Sequence, residues 1–181
     1  SEVEEIVREI RDLVRKNEER VKKIVEDVRR AVEEILELAE RSVEKVKRLV
    51  DDLRRLAENG VPREKLREDL RKIVEESKES LRRLERKLEE VKDTLRRLLE
   101  ELKEHTDRVA RRLEELRRRT TDEEAVRKVD RVLEEVEKRS RDALKELEEV
   151  LKEVERLARE VLEKNERVTE AVEDLVTKAA K

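Results

Sequence analysis

A chain of 181 residues is long enough for one sizeable domain, yet 56% of it is charged and none of it is Phe, Trp, Tyr, Met or Cys. Its 49 basic and 52 acidic residues nearly cancel, to a net charge of −3, so no broad field draws it to nucleic acid or to an anionic membrane. Without cysteine there is no disulfide or thiol chemistry. No apolar run approaches the ~20 residues of a membrane span, and no signal-peptide core is present, so the chain reads as soluble without a targeting signal.

The first predicted element is a helix over residues 2–58, opened by a capping box between Ser1 and Glu4. Inside it, the stretch LVRKNEERVKKIV (residues 13–25) sets Leu13, Val14, Val21, Ile24 and Val25 on one side, with Asn17 among them. The helix closes at Glu58-Asn59-Gly60-Val61-Pro62. Gly60 suits the left-handed position just past a helix end, where Val61 can fold back on Leu56. Pro62 suits the first turn of the next helix, where a missing N–H costs nothing.

The second helix is expected over residues 62–118. Arg117, Arg118 and Arg119 lie at its negative end. Thr121 with Glu124 then reads as a capping box, reinforced by Asp122 and Glu123, for a third helix over residues 122–179. Each helix is about 57 residues, roughly 85 Å at 1.5 Å per residue. Both connections are short, so neighbours run antiparallel. The expected fold is all-α: one up-down-up antiparallel three-helix bundle spanning residues 1–181.

Apolar residues recur every 18 positions: Val7, Val25 and Val43; Leu66, Leu84 and Leu102; Val132, Val150 and Val168. Eighteen residues in five turns is the period of an unstrained helix, whereas a strict heptad would impose a left-handed supercoil. Nearly straight helices are therefore expected. Each stripe covers roughly 140–160° of the wheel, enough to touch two neighbours. The opposite faces are almost wholly Glu, Lys, Arg and Asp and read as solvated.

Polar residues interrupt the stripes at Asn17, Ser42, Ser77, Ser80, His105, Thr106, Ser140, Asn165 and Thr169. Folded up-down-up, they fall into two layers, each aligned within about one turn of 3.6 residues. Asn17, His105, Thr106 and Ser140 form one layer; Ser42, Ser77, Ser80, Asn165 and Thr169 form the other. A buried amide without partners costs roughly 1–3 kcal/mol, while a satisfied one is near neutral and excludes other registers. The expected role of both layers is to fix register and helix pairing through buried hydrogen bonds. For His105, Ser80 and Thr169, at the stripe edges, simple half-exposure is the alternative.

The 18-residue repeat, the Gly60-Val61-Pro62 loop, the box at Thr121 and the two polar layers together resemble de novo designed helical bundles with buried hydrogen-bond networks. The resemblance runs along the whole chain. It implies a very stable scaffold, a recombinant product with no biological activity of its own. Some relatives are switchable through a displaceable terminal helix. Natural spectrin-like repeats share the three-helix plan but usually carry aromatics, which are absent here.

The sequence carries little that points to chemistry. There is no phosphate-cradling glycine loop and no nucleophile elbow. His105 with Glu101 or Glu104 falls short of a usual zinc ligand set, so it reads as structural, and neither metal nor cofactor is expected. The arginine run at 117–119 lacks stacking aromatics and is surrounded by acids, which argues against nucleic-acid binding. A monomer that needs no partner is the first expectation. The alternative is an interaction or switch module whose helices pair with a partner helix or self-associate. Leu36, Leu38 and Ala171 widen the stripes only slightly in that direction.

Overall fold

Each apolar stripe becomes one uninterrupted helix. A computed structural model describes residues 2–179, except for the side chains of Val176, Lys178 and Ala179. Helix α1 is Glu2–Glu58, α2 is Arg63–Arg119 and α3 is Glu123–Ala179, each of 57 residues. No strand occurs among the described residues. Acidic side chains open the helices (Glu2, Glu4 and Glu5; Glu64; Glu123 and Glu124), and arginines close α1 and α2, so charge opposes the helix dipole at those ends. The capping box expected at Ser1 lies outside the described residues.

The first turn follows its sequence signals closely. Gly60 has φ of +84°. The Val61 N–H reaches back to the Leu56 carbonyl at 3.1 Å, and the Gly60 N–H reaches Ala57 at 3.3 Å. That pair of bonds is the Schellman closure, which caps carbonyls the helix leaves bare. The Pro62 carbonyl accepts from the Leu66 N–H at 3.2 Å, so α2 starts at Arg63, one residue after the proline.

The second turn departs from the expected box. Asp122, not Thr121, caps α3: its carbonyl accepts from the Val126 N–H at 3.0 Å, and its carboxylate lies 3.4 Å from the Glu124 N–H. Asp is as good a cap as Thr and stands one position nearer the helix. Thr120 instead extends the end of α2, with its hydroxyl on the Leu116 carbonyl at 2.6 Å.

The chain forms two compact units. The first comprises α1 through Arg29 together with Lys92–Glu153. Its core takes Val7, Ile10 and Val14 from α1, Val109, Leu113 and Leu116 from α2, and Val129, Val132 and Val136 from α3. Each such buried Val or Leu contributes about 1.5–3 kcal/mol of transfer free energy. Cross-helix ion pairs read out the register. Glu9 with Arg112 and Arg20 with Glu101 both give residue numbers summing to 121, the constant sum of an antiparallel pair. Arg11 with Glu135 and Glu18 with Arg139 differ by 124 and 121, the near-constant offset of a parallel pair. Thus α2 runs against α1, and α3 runs with α1. Leu13 is 43% exposed, so in the stretch 13–25 the buried side is Val14, Val21 and Val25, with Ile24 half-buried.

The second unit comprises Arg30–Val91 with α3 from Val154 onward. One cluster gathers Val46, Val50, Leu53, Leu66, Leu70, Ile73, Val74 and Val172. Another gathers Ile35, Ala39, Leu84, Leu88, Ala158 and Val161. Both again draw on all three helices.

Candidate functional site

The polar residues set into the stripes depart from simple apolar packing, and each unit holds one set. In the first unit, Asn17, His105 and Thr106 are half-buried and Ser140 is buried. Asn17 and His105 sum to 122, one residue from the α1–α2 register of 121, so they share a height. Thr106 donates its hydroxyl to the Leu102 carbonyl of its own helix at 2.8 Å, the local bond that a helical threonine reaches without a partner helix. The His105 Nε2 is buried and has no hydrogen-bond partner. Burial holds its imidazole below the ordinary 6.5, and the nearby Arg108 charge adds to the effect. No side-chain hydrogen bond joins Asn17, His105, Thr106 and Ser140 among the described residues.

In the second unit, three of the five are fully buried and bonded in series. Thr169 donates to the Asn165 carbonyl at 3.0 Å, and Thr169 Oγ1 lies 2.9 Å from Ser77 Oγ. A threonine hydroxyl has one hydrogen, so Ser77 is the donor to Thr169. The Asn165 amide donates to the Val161 carbonyl at 2.9 Å. The series ties α2 to α3 with one bond and anchors the rest along α3. Ser42 and Ser80 stand apart from it. They are half-buried and line a cleft of about 180 Å³ with Leu38, Leu84, Arg83 and Lys87.

The ion pairs between helices are what sequence reading missed, because their side chains sit on faces taken as merely solvated. Arg139 Nε lies 2.7 Å from Glu18, and its Nη1 lies 3.3 Å from Glu135. Arg117 lies 2.6 Å from Asp130, and Lys78 lies 3.0 Å from Glu173. Their signal was present in the sequence: opposite charges on stripe flanks at matching heights.

Among the described residues, no group of three or more His, Cys, Asp or Glu side chains could hold a metal ion. No described helix is long and apolar enough to cross a membrane. No protein-family model matches the chain, and no curated protein matches it. Among solved structures, it is similar to a "Computationally designed three helix bundle" at 22% identity, over 99% of this chain and 87% of that one, with a TM-score of 0.41.

Proposed function

We propose that this chain is a designed structural scaffold without natural biochemical activity, in which buried polar side chains select register and helix pairing. The hydrogen bond from Ser77 to Thr169 carries the reading, since it joins two helices inside an otherwise apolar stripe. Apolar packing alone tolerates sliding and exchange of similar Val- and Leu-rich faces. A buried hydroxyl pair is satisfied in one register and left unpaired, at about 1–3 kcal/mol, in others. Three helices of equal length closed by short caps fit the same purpose. No catalytic role is assigned to any residue, and the protein works as a monomer.

The test replaces Ser77 and Thr169 together by Ala and Val. Light scattering across a dilution series and the dispersion of amide NMR signals are then compared with the parent. The expected result is a variant at least as heat-resistant as the parent but with mixed oligomers or multiple amide signals. A variant that stays monomeric with one sharp signal set would remove the specifying role.

An interaction module is the second reading. Leu38 and Leu56, both 40% exposed, favour it, because Leu38 borders the cleft that Ser42 and Ser80 line. Concentration-dependent mass in the unsubstituted chain would bring it forward.

A further inference from the structure

Among the described residues, the cross-helix side-chain pairs of α1 gather near its N-terminus. Between Glu4 and Arg20, five side chains of α1 pair across helices: Glu4 with Lys128, Glu9 with Arg112, Arg11 with Glu135, Glu18 with Arg139 and Arg20 with Glu101. From Ala31 to Glu58, no side-chain hydrogen bond or ion pair reaches α2 or α3 among the described residues. The pairs found there, Glu37 with Arg41 and Asp51 with Arg54, stay within α1. In the same second unit, α2 and α3 are joined to each other by Ser77 with Thr169 and by Lys78 with Glu173.

Apolar contact shows the same gradient. Val50 and Leu53 keep 9% of their surface, against 2% for Val7 and 0% for Ile10. Clefts border α1 in both halves, one of about 440 Å³ beside Glu18, Val21 and Lys22, and in the C-terminal part they lie on both sides. One, against α2, includes Leu38 and Ser42. The other, of about 290 Å³, lies against α3 between Val46, Val50, Val168 and Val172. Single surface ion pairs are weak, but one segment carries five, two of them linked through Glu135 and Arg139, where residues 31–58 have none among the described residues. Segments with few cross-contacts open first in sub-global fluctuations.

We propose that α1 opens from its C-terminal half. Residues 31–58 leave α2 and α3 of the second unit while residues 4–20 stay docked in the first. The opening is a conformational device built into the distribution of polar links along one helix. It bares the buried apolar side chains that α1 contributes to the second unit, Ile35, Ala39, Val43, Val46 and Val50, without global unfolding.

Native-state amide exchange on the full, unsubstituted chain tests this. Val14 and Val46 are matched probes, since each lies twelve residues from its own end of α1 and both are buried. Amides at Val43, Val46 and Val50 are expected to exchange about tenfold or more faster than those at Val7, Ile10 and Val14, relative to their intrinsic rates. The chain has no cysteine, so Val14→Cys and Val46→Cys give a second readout, with faster native-state thiol labelling expected at position 46. Equal protection at the two sites, or faster exchange at Val14, overturns the proposal. Exchange needs no substitution, so a poorly folding cysteine variant does not blunt the test.

Discussion

Ser77 and Thr169 are 92 residues apart in sequence, yet their hydroxyl oxygens lie 2.9 Å apart inside the second unit. The bond has a direction, because Thr169 already gives its hydrogen to the Asn165 carbonyl. Loss of Ser77 therefore leaves Thr169 satisfied, while loss of Thr169 leaves Ser77 without its acceptor. Thr169→Val is expected to cost about 1–3 kcal/mol and Ser77→Ala about 1 kcal/mol or less, while the double variant is at least as stable as the parent. Urea denaturation of the three variants measures it. Strictly additive losses would mean that the pair contributes no mutual stabilisation.

Gly60 tests the first turn. A Cβ at this position meets nothing within 4 Å, so a substitution there reports the backbone alone. Gly60→Ala is expected to lower stability by about 1 kcal/mol, because φ of +84° disfavours a side chain. Gly60→Asn should lose less, since asparagine tolerates the left-handed region. Chemical denaturation giving equal stability for glycine and alanine would contradict the Schellman closure.

The second turn separates two neighbouring caps. Asp122→Ala should destabilise by about 0.5–1 kcal/mol, toward the lower end for a cap because its bond to the Glu124 N–H is long. Thr121→Ala should change little. The reverse order in thermal melts would restore Thr121 as the cap.

His105 ties stability to pH. Its folded value lies below 6.5 because burial penalises the imidazolium and Arg108 repels it. Between the folded and unfolded values, the unfolded chain binds more protons. The contribution is therefore intact above about pH 6.5, erodes as pH falls through that value and levels off below the folded pKa. Unfolding free energies at pH 8 and pH 5 should diverge more in the parent than in His105→Gln, and NMR titration of His105 should give the depressed value directly. A pH response of equal size in both proteins would show His105 to be solvated.

Much of the architecture was legible because helical geometry leaves few choices. A fixed period and rise assign faces and heights, so the three helices and their antiparallel order follow from the valine and leucine spacing and two short breaks. Finer detail depends on competition between near-equals. Thr121 and Asp122 are both good caps, and a one-residue shift decides between them. Leu13 sits at the edge of a wide stripe, where exposure depends on how closely the neighbouring helix approaches. The polar positions themselves were visible, but their bonding was less so. Thr106 can satisfy its hydroxyl on Leu102 of its own turn, and nothing in the spacing of residues weighs that against a partner on another helix. Thr169 does both, through its hydrogen and its oxygen. The pairing of Arg139 with Glu18 and Glu135 needed the register first, which single charges on a crowded polar surface do not announce.

The constant register has a consequence for size. Faces repeat every 18 residues, and in the first unit the paired positions of α1 keep a fixed sum with α2 and a near-fixed difference with α3. An 18-residue block removed at matching heights from all three helices would therefore leave every remaining face pointing as before. Length becomes an adjustable dimension, changed in steps of about 27 Å at 1.5 Å per residue, with both end turns carried over intact.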